Sequence, residues 1–145
     1  MKKDVIKSLA GDSMNNCELC FPNLNPNQVV IYENNSCRLL MLKSNMKKGN
    51  VLEGAGIIVT KAHRKSPFDF NEEEWIDIKK ILDRTKEYID KNHQPDGYNI
   101  GWNVNRTGGQ HLEHAHLHII PRYSNELLAE KGIRSHLKSE NNKRE

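Results

Sequence analysis

Residues 114–120 read His-Ala-His-Leu-His-Ile-Ile, and this stretch decides the fold and the chemistry expected of the chain. Successive side chains of a β-strand point to opposite faces. The alternation puts an apolar face against a core and three imidazoles on the other face, those of His114, His116 and His118. Such a row has no packing role. It is explained by nucleophilic catalysis, by a catalytic metal site, or by a merely exposed polar strand face.

The residues around that strand follow the pattern of an α+β domain with a mainly antiparallel five-stranded sheet. Runs of β-branched, aromatic and aliphatic residues predict strands at residues 29–33, 37–42, 55–60, 98–104 and 114–121. A short helix is expected around residues 5–9. We expect one domain over residues 1–145, with a motif-bearing core at about 17–122 and a polar tail at about 123–145.

A long helix is predicted between the third and fourth strands. It begins at Asn71, whose side chain can cap free N–H groups, and Glu74 completes a capping-box pattern. The helix should stop before Pro95. Residues at helical spacing predict its buried stripe, namely Trp75, Ile78, Leu82 and Ile89.

Composition restricts the class of protein. With 145 residues, 36% of them hydrophobic and 28% charged, the chain has the balance of a small globular enzyme and not of a disordered chain. No apolar run approaches the ~20 residues of a membrane-spanning helix. The net charge of +3 suits a small anionic ligand and demands no stable nucleic-acid partner. The first residues lack the apolar run of a secretory signal, so a cytoplasmic location is expected.

The cysteines divide into two groups. Cys17 and Cys20 form a C-x-x-C, which in a reducing compartment indicates metal or redox chemistry, although an idle reduced pair has the same spacing. Cys37 lies in an apolar segment and is interpreted as a packed core residue.

A longer segment around the histidines carries a family resemblance. Residues 95–122, PDGYNIGWNVNRTGGQHLEHAHLHIIPR, resemble the segment that names the histidine-triad superfamily. The C-x-x-C and His63 also fall where the zinc-containing bacterial branch has them, so the resemblance spans residues 17–122. It implies a HIT-like fold and a nucleotide hydrolase in which His116 attacks the α-phosphorus and forms a covalent nucleotidyl-imidazole.

The resemblance also implies the neighbours of that nucleophile. His118 and the backbone near Gly109 would hold phosphate oxygens, and Asn103 and Gln110 match the family's side-chain phosphate contacts. From its position alone, Asn103 could equally satisfy a backbone group. His111 stands where many relatives have Ser or Thr, and it is either a general acid for the leaving group or a solvated loop residue.

Zinc and a partner subunit are implied in the same way. The zinc branch supplies four ligands, which here are Cys17, Cys20, His63 and His114. Such a closed set is typical of a structural Zn²⁺. The resemblance further implies a homodimer in which strands of two subunits form one larger sheet.

The chain departs from the family pattern near the third strand. Glu53-Gly54-Ala55 replaces the Pro-Gly-His or Pro-Thr-His of relatives, and the position that grips the ribose hydroxyls falls near Lys43. The loop is lengthened through Lys47 and Lys48, which leads to the hypothesis that longer polyphosphates are preferred. His93 and His136 have no evident partner in the sequence and are expected at the surface.

Several functions remain open at this point. Substrates of the implied hydrolase include dinucleoside polyphosphates, such as diadenosine tetraphosphate, and nucleoside phosphoramidates. A nucleotidyltransferase or phosphorylase would use the same nucleophile. A zinc-stabilised nucleotide-binding module without turnover and a metallohydrolase built on the histidine strand are the remaining alternatives.

Overall fold

The computed structural model of the chain describes residues 15–145, and a five-stranded antiparallel sheet is its main element. The strands are β1 (Gln28–Glu33), β2 (Cys37–Leu42), β3 (Gly56–Thr60), β4 (Gly97–Gly101) and β5 (His116–Arg122). Their spatial order is β1-β2-β3-β5-β4, and every neighbouring pair is antiparallel. The expected α+β architecture with a mainly antiparallel sheet is therefore confirmed.

One long helix, α1 (Glu72–His93), covers one face of the sheet. The predicted capping box is present, because the Asn71 side chain accepts from the Glu74 N–H at 2.8 Å and Glu74 accepts from the Asn71 N–H at 2.9 Å. The helix ends one residue before Gln94, which has a left-handed φ of 50°. The start and end of α1 are thus set by local sequence.

The predicted stripe of α1 is right at its centre and wrong at its start. Ile78 and Ile89 are buried and Leu82 is half-buried, but Trp75 is 44% exposed. The buried position in the first turn belongs to Glu74, and the next residue points about 100° further round the helix. The Trp75 ring packs edge-on against Phe70 and Trp102 at the surface.

Two predicted strand boundaries are wrong, and each error has a local cause. β5 begins at His116 because the preceding Ala115 N–H donates to the Arg64 carbonyl, 2.7 Å away, and not to a strand partner. β4 ends at Gly101 because the chain turns there and packs Trp102 against Phe70 and Trp75.

Within residues 16–145, the other helical elements are short 3-10 turns. They comprise Pro22–Leu24, Lys43–Met46, Pro67–Asp69, Arg106–Gly108, Ile133–His136 and Glu140–Asn142. The helix expected around residues 5–9 lies outside the described residues. Within residues 15–145, no helix has the length and apolarity needed to cross a bilayer.

The sheet separates a helix-side core from the face that carries the site. The helix-side core contains eight buried residues, namely Cys37, Leu39, Ile58, Ile78, Ile81, Ile89, Leu117 and Ile119. Cys37 is packed here, as predicted. A second, smaller cluster of Leu19, Leu40 and Val59 packs on the opposite face. Leu19 therefore fastens the N-terminal loop over β2 and β3, on the same face as the β5 histidines.

Candidate active site and metal centre

The three histidines of the motif do not form one site. His116 and His118 lie on β5 with their ring centroids 4.8 Å apart, and both line a cavity above the sheet. His114 precedes the strand, is completely buried and faces the N-terminal loop. The structure therefore assigns His114 to a different group of side chains.

That group is the set expected from the resemblance, Cys17, Cys20, His63 and His114. Their ligand atoms all lie within 4.8 Å of one another. His114 Nδ1 is 3.4 Å from each sulfur, and His63 Nδ1 is 3.2 Å from the Cys20 sulfur. Three separate segments meet here: the N-terminal loop, the end of β3 and the approach to β5.

The His114 ring is held with one nitrogen turned to the sulfurs. Its Nε2 lies 2.8 Å from the Thr60 carbonyl, and since a carbonyl can only accept, Nε2 carries the proton. Nδ1 therefore presents a lone pair to the cluster. A ligating histidine whose other nitrogen donates to a carbonyl is the usual arrangement at metal sites.

The pKa values of His114 and Cys20 show which protonation states a bound cation would favour. Burial is the largest factor that lowers the pKa of His114 to about 4, so the imidazole is neutral at pH 7. Burial, with the adjacent Cys17 thiol, raises the pKa of Cys20 to about 12. A bound cation deprotonates such a thiol and uses the free imidazole. Two thiols and two imidazoles at this spacing fit a tetrahedral zinc ion.

A network of contacts anchors the segment that carries His63. Arg64 donates from Nε to both carboxylate oxygens of Glu74, at 3.2 and 3.1 Å, and its carbonyl accepts from the Ala115 N–H. Glu74 is buried and also caps α1. The helix start, the His63 segment and the motif are thereby joined.

The His116 ring is held through its other nitrogen. Its Nδ1 lies 2.9 Å from the His114 carbonyl, so Nδ1 is the protonated nitrogen and Nε2 has a free lone pair. The side chain is 9% exposed. Burial is the main factor that lowers the pKa of the neighbouring His118, which favours its neutral form. These rings can act as a nucleophile and as a hydrogen-bonding group.

An apolar cavity of about 270 Å³ adjoins both rings. Its floor follows the strand register, in which Leu40 pairs with Ile57 and Ile57 pairs with His118. Leu42, Leu52 and Ile120 add further apolar wall, and Glu18 and Asn45 are among its few polar residues. The cavity is suited to a flat, mainly apolar group.

A more polar cavity of about 620 Å³ lies on the other side of His118. It extends towards β4 and the C-terminal segment, and its polar lining includes Asn99, Asn103, His118, His136 and Asn142. His118 lines both cavities. A molecule that spans the histidines would therefore meet an apolar wall at one end and amide groups at the other.

The loop before the motif places the other expected phosphate contacts. Asn103 is exposed in the polar cavity, and its Nδ2 is 3.5 Å from the Gly109 carbonyl. Gly109 has a φ of 100°, a conformation that favours glycine, and its missing Cβ would lie 3.5 Å from the Asn103 side chain. Asn103 can therefore face a ligand beside His118, and Gly109 lies directly behind it.

Gln110 is occupied by the protein itself. Its Nε2 donates to the Lys65 and Leu112 carbonyls at 2.8 and 2.9 Å, and its Oε1 accepts from the Asn105 N–H at 2.8 Å. The residue is 8% exposed. All the principal hydrogen-bonding groups of this amide are thus used to shape the loop.

The remaining sequence predictions near the site concern His111 and three lysines. His111 is exposed in a separate cavity that also contains Gln110 and Glu113, and neither His116 nor His118 lines it. Lys43 is exposed and lies outside the linings of the two cavities at His118. The same is true of Lys47 and Lys48, so the geometry gives no support to their binding a polyphosphate.

Sequence reasoning missed the contacts of two acidic residues, Glu53 away from the site and Glu18 beside it. His93, expected at the surface, is 8% exposed and its Nδ1 lies 2.7 Å from the Glu53 carboxylate, so that prediction is wrong. His136 is exposed, as expected. Glu18 was also missed, although its place between two metal-ligand cysteines is a sequence signal that it lies near the histidines.

Comparisons with known proteins agree with this geometry. The family described as HIT domain matches residues 23–125. An uncharacterized HIT-like protein of Methanocaldococcus jannaschii is 33% identical over 94 residues, which cover 65% of this chain and 68% of that protein.

Solved structures show the same architecture. A HIT family protein from Bacillus anthracis is 25% identical with a TM-score of 0.64, and the match covers 77% of this chain and 76% of that one. A Zn-bound histidine triad family protein from Mycobacterium smegmatis is 22% identical with a TM-score of 0.63, over 83% of this chain and 84% of that one. At this identity, the similarity to the Mycobacterium smegmatis protein shows a shared fold.

Proposed function

The chain belongs to the HIT domain family, and from this premise we propose that it hydrolyses nucleotides at the α-phosphate through a covalent intermediate on His116. The substrates proposed are dinucleoside polyphosphates, such as diadenosine tetraphosphate, and nucleoside phosphoramidates. The single observation that carries the proposal is the orientation of His116, whose Nδ1–H is bound to the His114 carbonyl and whose Nε2 is free.

The orientation of His116 supports nucleophilic attack. A neutral imidazole with a fixed tautomer is a good nucleophile and, once attached to phosphorus, a good leaving group. When Nε2 bonds to phosphorus the ring becomes positively charged, and the His114 carbonyl, 2.9 Å from Nδ1, stabilises that charge. The metal cluster and the nucleophile are therefore connected through one backbone carbonyl.

The reaction proceeds in two displacements. In the first, Nε2 forms a bond to the α-phosphorus while the bond from phosphorus to the leaving group breaks, and the departing group leaves with the electron pair and takes up a proton. In the second, water attacks phosphorus, the P–N bond breaks and the water proton is released. The products are a nucleoside monophosphate and free His116.

The two cavities supply places for the parts of such a substrate. The apolar cavity over Leu40 and Ile57 accommodates the nucleoside, and the polar cavity accommodates the leaving group. His118, Asn103 and the Gly109 backbone adjoin the phosphate position, where neutral donors can stabilise developing charge. Gln110 acts on this position through the loop that its amide holds.

Zinc is proposed as a structural ion held by Cys17, Cys20, His63 and His114. When bound, it would supply four closed bonds that attach the N-terminal loop to the sheet, with no open position for a water. His116 and His118 are outside this group, which favours nucleophilic catalysis over a metallohydrolase on the same strand. The reduced thiols suit the cytoplasm, which we propose as the location.

A homodimer is proposed along the edge strand β4. This strand ends the sheet, and Ile100 and Trp75 are exposed there or nearby. An edge strand presents unpaired backbone N–H and C=O groups, and a strand of a second copy could pair with them and extend the sheet. Sedimentation equilibrium should give twice the chain mass of 16.8 kDa.

The test compares the zinc-loaded protein with its His116→Ala variant. We measure release of nucleoside monophosphate from phosphoramidates and dinucleoside polyphosphates of adenine and guanine. We trap the nucleotidylated protein by quenching in alkaline denaturant, because the P–N bond of the adduct is hydrolysed by acid. Turnover should fall about a thousandfold or more, and the trapped adduct should disappear, since the nucleophile is lost. Zinc content should not change.

Other outcomes would replace the proposal. Turnover that survives in His116→Ala would remove this residue as the nucleophile. Nucleotide binding without turnover in the unmodified protein would favour the binding module. Nucleoside diphosphate formed when inorganic phosphate is added would identify a phosphorylase.

A further inference from the structure

We propose that Glu18 selects the base of the bound nucleotide and that the preferred base is guanine. The inference rests on the proposed use of the apolar cavity as the nucleoside site. Glu18 is half-buried and, among residues 15–145, is the only acidic residue in the lining of that cavity. A carboxylate in a mainly aliphatic wall is a costly feature unless a ligand or a neighbour satisfies it.

The position of Glu18 places it at the base end of the cavity. Its carbonyl accepts from Gln28 Nε2 at 3.2 Å, and Gln28 pairs with Leu42, so the residue lies over β1 and β2. The nucleophile His116 is on β5, two strand positions from β2. At ~4.8 Å per strand, these positions are roughly 10 Å apart, which corresponds to a nucleoside and not to a ribose alone.

The backbone on both sides of Glu18 is anchored. Leu19 is buried against Leu40 and Val59, and the Cys20 N–H donates to the Cys17 sulfur at 3.4 Å. The carboxylate is thus carried by a short turn with little freedom to move. A polar group held in this way distinguishes ligands better than one on a mobile loop.

The carboxylate keeps capacity to accept hydrogen bonds. Within residues 15–145, its only side-chain donor is Asn25, whose Nδ2 is 3.4 Å from one oxygen. No lysine or arginine of that part of the chain forms an ion pair with it. An ionised carboxylate only accepts, through two oxygens with about four lone-pair directions.

Guanine has the matching edge. Its N1–H and 2-amino group are adjacent donors that can reach both oxygens of one carboxylate. Adenine presents its N1 lone pair at the same place, which a carboxylate repels, and hypoxanthine offers one donor only. A site built to bind a donor discriminates strongly against an analogue that lacks it.

The variant Glu18→Gln is predicted to reverse the base preference. A glutamine amide offers one acceptor and one donor, which match the 6-amino group and N1 of adenine. The substitution keeps the length of the side chain and removes its charge. It should therefore convert a guanine preference into an adenine preference, whereas loss of a structural carboxylate would weaken all nucleotides alike.

The experiment measures dissociation constants for GMP, IMP and AMP by titration calorimetry on the zinc-loaded full chain. We expect the unmodified protein to bind GMP at least about tenfold more tightly than AMP, with IMP between them. In Glu18→Gln this ratio should fall to one or below. The control is Glu87→Gln, which changes an exposed carboxylate on α1 and should leave the ratio unchanged.

The outcomes separate this inference from the proposed function. Equal binding of GMP and AMP, or an unchanged ratio in Glu18→Gln with zinc content intact, would overturn the role of Glu18 while His116 catalysis stands. Equal weakening of all three nucleotides would place the carboxylate at the sugar and also overturn it. Binding of none of them would contradict the nucleoside site and, with it, both proposals.

Discussion

His114 and His116 are two residues apart, and the protein uses opposite nitrogens of their rings. His114 donates from Nε2 to the Thr60 carbonyl and turns Nδ1 to two cysteine sulfurs. His116 donates from Nδ1 to the His114 carbonyl and leaves Nε2 free beside an apolar cavity. In each ring one carbonyl determines which nitrogen carries the lone pair.

The comparison shows how one repeated residue type supports two kinds of chemistry. The metal cluster joins three distant chain segments, so a bound ion there would stabilise the fold. The cavity lies on a regular strand, where register places His118 beside Ile57. The two regions share the 114–116 backbone and the turn that carries Glu18 between Cys17 and Cys20, so a change in the metal cluster should affect the cavity mainly through the fold.

The largest expected effect comes from removing one metal ligand. Cys20→Ser should abolish stoichiometric zinc binding and lower the free energy of unfolding by about 4 kcal/mol or more, because loss of a metal site detaches the N-terminal loop. Metal analysis and chemical denaturation measure both quantities. Turnover per folded molecule should fall much less than in His116→Ala.

The matched control for that prediction is the third cysteine. Cys37 is completely buried but lies in the helix-side core, away from the cluster. Cys37→Ala should cost about 1 kcal/mol of stability and leave the zinc content at that of the unmodified protein. Full zinc occupancy in Cys20→Ser would contradict the assignment of the cluster.

A smaller effect is expected from Gln110, because its amide holds the loop before the motif and does not face the cavities at His118. Gln110→Ala removes an amide that bonds three backbone groups, so we expect a loss of about 1–3 kcal/mol in stability together with a fall in kcat. Asn103→Ala, at an exposed amide, should raise KM with stability within about 0.5 kcal/mol of the unmodified protein. If Gln110→Ala lost turnover at unchanged stability, its amide would contact phosphate directly.

The smallest effect concerns the contact between Glu53 and His93, which lies outside both the metal cluster and the cavity. Glu53 accepts from the Gly49 N–H at 2.8 Å and contacts His93 at 2.7 Å. The pKa of Glu53 is lowered, first by the Gly49 hydrogen bond and further by His93, against an opposing effect of burial. A depressed carboxyl pKa contributes stability above its ordinary value of about 4.3, and this contribution is lost as pH falls below it.

Glu53→Gln tests this contact. We expect about 1 kcal/mol lower stability at pH 7 and a shallower decline of stability between about pH 5 and pH 3. Denaturation at several pH values measures both. Glu113→Gln, whose side chain is 77% exposed, is the control and should change neither. An acid decline as steep as that of the unmodified protein would show that Glu53 does not contribute.

Local patterns in the sequence were sufficient for several features. The period of two in residues 114–120 predicted the two faces of β5, and the Asn71–Glu74 spacing predicted the helix start. Both depend on residues within one element. The metal ligands were predicted because the resemblance matched residue types at three separate places, and the structure brings these together.

Other features depend on contacts between distant residues. Glu53 and His93 are 40 positions apart, and no local pattern shows that they meet. Trp75 satisfies helical spacing and is nevertheless exposed, because the buried position in the first turn is that of Glu74.

By itself, the sequence determined the elements, the apolar faces and the set of chemically active side chains, since these follow from residue type and spacing along one segment. Only the tertiary structure decided which histidine nitrogen is free, that Gln110 is bound by its own loop, and that Glu18 borders the nucleoside cavity. The physical reason is that hydrogen-bond partners and burial arise from packing between segments, and a one-dimensional pattern does not contain that packing.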